Sequence, residues 1–296
     1  NPFRMNDTMS NRQFCISWLR QLISDHPLSG EPRVMHDLND CVEYCFDRLK
    51  VQQRCLRNAI KILPVDFPCW DSLANWVDLD ERHGCWSYLF DHPDDHLTFG
   101  HKTGFDCSYL LTSVPRHVLT AVMMYLFYRI ETGMSGVLNS IFVDEAWQFF
   151  QDPLWQSYLK TWLATLRKKN AHVVMATQSL SDWSDSPLCD CVRDNCATTI
   201  LFPNPRADII KYKMYFSLND EEMAFIRGSQ GMSGRYFLFK QGAQSVVLQL
   251  PMEHMHKEMT VLSAHAESLR DFESIIKQHG RDPSKWLDAF IEKRCR

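Results

Sequence analysis

Residues 140–147 read Ser-Ile-Phe-Val-Asp-Glu-Ala-Trp, an apolar run followed at once by two adjacent carboxylates. The run has the length of a buried strand, so Asp144 and Glu145 are predicted to stand at its carboxyl end, where open α/β sheets bind ligands. There one acid could support Mg²⁺ and its water shell, and the other could orient or deprotonate an attacking water. This is the Walker B pattern with a catalytic glutamate. Alternatively, the two acids only begin the next helix.

A second short apolar run, at residues 172–176, is followed by Thr177-Gln178-Ser179. In RecA-like ATPases the strand beside Walker B ends in a polar side chain that senses the γ-phosphate, and Gln178 is the candidate for this role. A turn-forming polar triplet is the alternative interpretation. Between the two strands, residues 167–169 (Arg-Lys-Lys) end a predicted helix, where cations are favoured by the helix dipole. Arg167 could instead be an arginine finger that reaches the phosphates of a neighbouring subunit.

The stretch Gly-His-Lys-Thr-Gly at residues 100–104 looks like a phosphate-binding loop but does not meet the required pattern. The GxxxxGK[ST] motif needs a glycine immediately before the lysine, and His101 stands there. No other stretch of the sequence fits this motif. The sequence therefore contains no Walker A loop.

The residue pattern changes near residue 96. Before it, apolar residues recur at helical spacing on two faces, within residues 14–23 and 34–49. After it, apolar runs of strand length alternate with helices, which favours parallel βαβ units. The predicted strands are residues 97–99, 105–110, 138–143, 172–176 and 198–202, and the predicted helices are residues 115–131, 152–169, 263–279 and 283–294. A hairpin is predicted from residues 235–240 and 244–250.

Composition sets broad limits on the class of protein. Of the 296 residues, 45% are hydrophobic and 23% charged, which is globular and excludes a disordered chain. The net charge of −4 argues against binding nucleic acid or anionic lipid over the whole surface, although a local basic patch at residues 160–169 stays open. No apolar run reaches the roughly 18 residues of a membrane-spanning helix.

Eleven cysteines without a repeating framework indicate reduced thiols in a cytosolic setting. Cys189, Cys191 and Cys196 form the tightest group, but their spacing lacks the two halves of a zinc site. We interpret them as buried or half-buried thiols rather than as metal ligands.

Three short motifs occur in a fixed order: Asp-Glu-Ala-Trp at residues 144–147, Ala-Thr-Gln-Ser at 176–179 and Pro-Asn-Pro at 203–205. Together they resemble the carboxyl-terminal ATPase domain of the CagE/TrbE/VirB family (the VirB-four type) of bacterial type IV secretion and conjugation systems. The resemblance runs over nearly the whole chain, with further matching stretches at residues 1–3, 11–14, 104–106, 125–131, 195–198 and 235–241.

The resemblance implies an α/β, RecA-like (P-loop NTPase) fold, with a mostly parallel sheet core and an inserted all-helical subdomain. Residues 1–95 are then expected to form the helical subdomain, and residues 96–296 the ATPase core with its carboxyl-terminal helices. It also implies ATP and Mg²⁺ as cofactors of the intact protein. Asp144 and Glu145 match the Walker B pair, Asp144 holding magnesium through water, and Gln178 matches the sensor. Arg167 and Arg235 are candidate arginine fingers.

The family's Walker A loop would lie upstream of residue 1. We therefore expect the chain to be a fragment that binds ATP weakly or not at all. In the intact protein the resemblance implies a motor that energises pilus or channel assembly and the transfer of protein or DNA.

The implied partners are further subunits in a ring or dimer, components of the inner-membrane platform and companion ATPases. The implied location is the bacterial cytoplasm, at the cytoplasmic face of the inner membrane and without a membrane span. Two alternatives stay open: a DNA-pumping translocase of the same superfamily, and a non-catalytic scaffold that holds partners on aromatic surfaces.

Overall fold

A computed structural model describes most of the chain. The described residues are 1–80, 82–134, 136–146, 153–178, 180, 189–228, 236–263 and 266–294. The candidate finger Arg235 lies outside them, as do Trp147 and Ser179 of the matched motifs. The chain divides into two compact units, Asn1–Thr177 and Gln178–Arg296.

The first unit is mostly helical. Its helices are α1 (Met9–Leu22), α2 (Pro32–Arg48), α3 (Leu56–Ile60), α4 (Trp70–Ala74), α5 (Ser87–Phe90), α6 (Ser108–Ser113), α7 (Arg116–Gly133) and α8 (Pro153–Thr165). Its strands are β1 (Asp78–Leu79), β2 (Arg82–His83), β3 (Asn139–Val143) and β4 (Ala171–Met175). Single turns of 3-10 helix occur at Pro2–Arg4, Val51–Gln53 and Leu166–Lys169.

The second unit combines a small sheet with helices. Its helices are α9 (Cys189–Asn195), α10 (Ile209–Phe216), α11 (Asp220–Gly228), α12 (His256–Leu262), α13 (Ala266–His279) and α14 (Pro283–Arg294). Its strands are β5 (Thr198–Leu201), β6 (Tyr236–Gln241) and β7 (Gln244–Gln249). In the part of the chain that the structure describes, no helix is both long and apolar enough to cross a membrane.

The core of the first unit joins its helices around buried tryptophans. Trp18 of α1 is fully buried, packs edge-on against Phe90 at 4.8 Å and donates its indole N–H to the carbonyl of Ala121 in α7 (3.2 Å). Trp76 donates in the same way to the carbonyl of Leu22 (3.0 Å). Both predicted apolar faces of α1 and α2 lie in this core, so these predictions are confirmed. Helix α7 contributes to the same core, and the expected boundary at residue 95 stays a prediction.

Strands β3 and β4 form the parallel pair of the first unit. Asn139 lies opposite Ala171 and Val143 opposite Met175, in unbroken register. The chain reverses before β4 through Asn170, whose left-handed backbone (φ 53°) ends the preceding 3-10 turn. Its carbonyl accepts a hydrogen bond from the Asn139 amide (3.0 Å), which fixes where the two strands begin.

The second unit contains an antiparallel sheet in the order β5-β6-β7. The predicted hairpin is confirmed as β6 and β7, joined through Gly242, whose positive φ of 57° suits a tight turn. The expected mostly parallel core is therefore not confirmed. Among the described strands, β3 and β4 pair in parallel, and the other pairs are antiparallel.

Lys240 of β6 and Glu222 of α11 form a buried ion pair, at 2.8 and 3.0 Å from Nζ to the two carboxylate oxygens.

Two predicted strands, at residues 97–99 and 105–110, are wrong. Residues 97–99 have no regular structure, and Ser108–Ser113 is helix α6. The carboxylate of Asp106 accepts a hydrogen bond from the Ser108 amide (2.9 Å), and such a local side-chain turn competes with an extended strand. The apolar residues that follow then adopt a helix.

We expect Trp18→Ala to lower the free energy of unfolding by about 3–5 kcal/mol, because it empties a buried site and removes the indole hydrogen bond. The measurement is urea denaturation followed by circular dichroism. Met9 lies on the same helix and is exposed, so Met9→Ala is the control and should change stability by less than about 0.5 kcal/mol. Equal effects of the two substitutions would contradict the described core.

We expect Glu222→Gln to destabilise the protein at neutral pH by about 3 kcal/mol, because it leaves Lys240 buried without its counter-charge. Burial alone would raise the pKa of Glu222, but hydrogen bonds from Lys240, Ser245 and the Asn219 backbone outweigh it and lower that pKa below its ordinary value of 4.5. The contribution is thus complete above pH 4.5 and is lost as the pH falls through the lowered pKa.

The difference in unfolding free energy between the wild type and Glu222→Gln should therefore shrink at acid pH. Glu221 is the exposed neighbour of Glu222, and Glu221→Gln serves as the matched control with little effect at any pH. A difference that stays constant from neutral to acid pH would contradict the lowered pKa of Glu222 in the folded protein.

Candidate functional site

The parallel register brings the carboxyl ends of β3 and β4 to one edge of the sheet. Beyond the paired strands, the Ala176 amide donates to the Val143 carbonyl (2.9 Å), and the Ala146 amide donates to the Ala176 carbonyl (3.0 Å). These two bonds extend the ladder around the turn that carries the two acids. The segment after β3 is therefore held against the end of β4.

Asp144 and Glu145 lie in that turn, at the predicted edge. Asp144 is exposed, and its Oδ1 accepts a hydrogen bond from the Glu145 amide (2.9 Å). Glu145 is half-buried and has a left-handed backbone (φ 50°), a conformation uncommon for residues other than glycine. Strain of this kind costs of order 1–3 kcal/mol and persists where the surrounding hydrogen bonds require it.

Gln178 follows β4 by three residues and is exposed. It is the first residue of the second unit, whereas the two acids belong to the first. The structure thus brings Asp144 and Glu145 to the edge of the sheet at which β4 ends. Gln178 is placed only by its position in the chain, three residues after the last residue of β4.

Arg167 lies at the opposite end of the parallel pair. It is exposed in the 3-10 turn Leu166–Lys169, just before β4 begins. Because β4 has five residues and each adds about 3.3 Å, roughly 16 Å of strand separates this turn from the edge with the acids. Arg167 is therefore too far from the two acids to contact a phosphate bound beside them. As an arginine finger it would contact a phosphate bound to another subunit.

The neighbouring Lys169 has a structural partner that the sequence did not reveal. Its Nζ lies 2.7 Å from Oε1 of Glu131 at the end of α7, and Oε2 of Glu131 accepts the indole N–H of Trp162 in α8 (3.2 Å). Phe127 of α7 packs edge-on against the same indole at 4.4 Å. These contacts anchor the turn before β4 to two helices. Since 38 residues separate Lys169 from Glu131, no local sequence pattern signals the pair.

The residues at the edge suit Mg²⁺ better than a transition metal. Carboxylate oxygens are its preferred protein ligands, and it usually keeps several waters and takes its other ligands from substrate phosphates. Asp144 is exposed and can take part in such a shell. Among the described residues, no group of three or more His, Cys, Asp or Glu side chains could hold a metal ion by itself.

The cysteine group belongs to the second unit, and the glycine-rich stretch to the first. Cys189 is buried, Cys191 and Cys196 are half-buried, and none of the three is in a disulfide. Burial, with a smaller effect of Cys191, raises the pKa of Cys196, which disfavours a thiolate. The 100–104 stretch is an exposed turn in which the Gly100 amide donates to the Thr103 hydroxyl (2.9 Å).

Curated proteins of bacterial secretion systems are similar to this chain. The type IV secretion system protein virB4 of Brucella abortus biovar 1 (strain 9-941) is 29% identical over 309 residues, covering 99% of this chain and 36% of that protein. Its counterpart in Bartonella quintana (strain Toulouse) is 28% identical over 295 residues, covering 98% and 36%. PtlC of Bordetella pertussis (strain Tohama I), also a type IV secretion system protein, is 34% identical over 228 residues, covering 75% and 27%.

The chain thus spans about a third of the length of the curated relatives it matches. No family model matches it. Among solved structures, VirB4 of Thermoanaerobacter pseudethanolicus matches with a TM-score of 0.59 at 16% identity, covering 86% of this chain and 74% of that one. This likeness concerns the fold alone and supports a P-loop NTPase-like α/β fold. Over most of its length the chain is thus similar to VirB4-type proteins of type IV secretion systems, and its sequence fits that type.

Proposed function

We propose that this chain carries the Walker B and sensor part of an ATP-hydrolysing site, which in the intact protein powers type IV secretion. The observation that supports it most is the parallel pairing of β3 and β4, with two adjacent acids at the edge where both strands end. The similarity to VirB4 and PtlC proteins supports the assignment to a secretion motor.

In the proposed site the two acids have different tasks. Asp144, which is exposed, would hold Mg²⁺ through its water shell, and the ion would supply positive charge to the phosphates. Glu145, half-buried and turned by its left-handed backbone, orients or deprotonates the attacking water. Gln178 hydrogen-bonds the γ-phosphate or the water, so that its position changes when the phosphate leaves. This change in the position of Gln178 is proposed to move the protein against a neighbouring subunit.

We further propose that the intact protein works in a ring or dimer with its own copies, at the cytoplasmic face of the inner membrane. Its other partners would be inner-membrane platform components and companion ATPases of the same secretion system. The transported substrate would be protein or DNA. The similarity to named components of type IV secretion systems supports this setting.

For the chain itself, we expect ATP binding to be weak or undetectable, because it has no GxxxxGK[ST] loop to donate backbone amides and a lysine to the phosphates. Isothermal titration calorimetry with MgATP measures this directly. A micromolar dissociation constant would contradict the expectation, since a phosphate site would then exist elsewhere in the chain.

In a protein that joins this chain to a phosphate-binding loop, we expect Glu145→Gln to keep ATP binding and to lower turnover about 10²–10⁴-fold, the usual contribution of a general base. Filter binding and phosphate release measure the two properties separately. Glu221→Gln, at an exposed acid of the second unit, is the control and should leave both unchanged. Secretion that survives Glu145→Gln undiminished would favour the scaffold interpretation.

The arginine-finger hypothesis predicts that Arg167→Ala lowers ATP turnover in the assembled protein but not ATP binding, because the finger acts on a neighbouring subunit. Lys168 is exposed on the same turn, so Lys168→Ala is a matched loss of one charge. Mixing Arg167→Ala subunits with Glu145→Gln subunits should restore part of the turnover, since each supplies the group that the other lacks. Equal effects of the Arg167 and Lys168 substitutions would contradict a specific role.

A further inference from the structure

Strand β7 presents an uncovered edge. It pairs with β6 on one side, and none of the described strands pairs with its other side. All six of its residues, Gln-Ser-Val-Val-Leu-Gln at 244–249, are exposed. The outer edge therefore offers a row of backbone N–H and C=O groups that can pair with another strand.

This edge lacks the usual protection against such pairing. Natural edge strands carry charged residues, prolines or bulges that prevent contact with other strands. β7 contains neither a charged residue nor a proline, and its register with β6 runs through six consecutive pairs without a bulge. The strand is thus regular and neutral, which is the form suited to pairing.

The hairpin register determines which backbone groups face outward. A two-residue loop separates Gln241 from Gln244, and such a loop is closed by a hydrogen-bonded pair. Because hydrogen-bonded and non-hydrogen-bonded pairs alternate in an antiparallel ladder, Gln244 and Val246 bond toward β6. Ser245, Val247 and Gln249 then direct their amides and carbonyls to the open side.

We propose that β7 pairs antiparallel with β7 of a second copy of this chain, across a two-fold axis that passes Val247. In a regular antiparallel pair, opposite residues lie on the same face, so the axis has to fall on a residue and not between two. An axis at Val247 places this residue opposite its own copy and Ser245 opposite Gln249 of the second copy. These are the residues whose backbone groups face outward, so the hydrogen-bond pattern continues across the axis.

The side chains of β7 favour a second copy over a charged partner. In this register Val246 lies opposite Leu248 of the second copy, an apolar pair on each side of the axis, and no like charges meet. The two residues belong to an apolar sheet face that also contains Ile200, Phe237 and Phe239. The dimer would extend this face over six strands. The inference does not depend on the proposed ATPase function.

The area of contact limits the strength of the dimer. One strand pair buries far less than the roughly 1,200–2,000 Å² of a stable interface, so the dimer should dissociate on dilution. We expect sedimentation equilibrium of the chain to give an apparent mass that rises with concentration from 34.7 kDa toward twice that value. A single-chain mass at every concentration would overturn the proposal.

The symmetric position of Val247 permits a charge-exchange test. Val247→Lys alone, and Val247→Glu alone, should each stay at the single-chain mass, because equal charges then lie opposite each other. An equal mixture of the two variants should regain the doubled mass, since opposite charges then meet. Circular dichroism of each variant checks that it is folded.

Val65 is fully exposed in the first unit, and Val65→Lys is the matched control that should associate as the wild type does. Charged Val247 variants that still self-associate, or a mixture that stays at the single-chain mass, would overturn the register centred on Val247. A dimer that is lost equally with Val65→Lys would show that added charge, and not this strand, controls association.

Discussion

The parallel register of β3 and β4 is the constraint on which the candidate site depends. Strands paired antiparallel would place the residues after each strand at opposite ends of the sheet. With Val143 opposite Met175, both chains leave the sheet at one edge, and the hydrogen bonds of Ala176 and Ala146 hold the turn there. The site is therefore a property of the backbone ladder first, and of its acidic side chains second.

The two ends of this strand pair are built differently. At the amino end, Glu131 joins Lys169 and the Trp162 indole, and Asn170 bonds to the first residue of β3, so helices and strands are locked together. At the carboxyl end, Asp144 is exposed to solvent. The side-chain contacts thus anchor the end of the strand pair away from the proposed site, whereas the first acid of that site is open to solvent.

Periodicity and turn residues were sufficient to predict β3, β4, the β6–β7 hairpin and the long helices, because each depends on local pattern. The strand predicted at residues 105–110 was wrong: Asp106 forms a local turn with the Ser108 amide, and the apolar residues that follow are helical. The ion pairs Glu131–Lys169 and Glu222–Lys240 join residues 38 and 18 positions apart. Which charges meet is set by how the elements pack, and the sequence carries no local record of it.

The backbone of Glu145 links the ladder to the proposed chemistry. Among the described residues, three others than glycine have positive φ: Glu145, Asn170 and Ser217. Asn170 and Ser217 each end a helical turn, where a left-handed residue is common. Glu145 instead follows a strand, so helix capping does not account for it. Its own amide bonds to Asp144, and the amide after it bonds to Ala176 of the β4 side. The conformation of the second acid is therefore fixed on one side by Asp144 and on the other by a residue bonded to the end of β4, so the parallel pairing and the backbone of Glu145 are coupled.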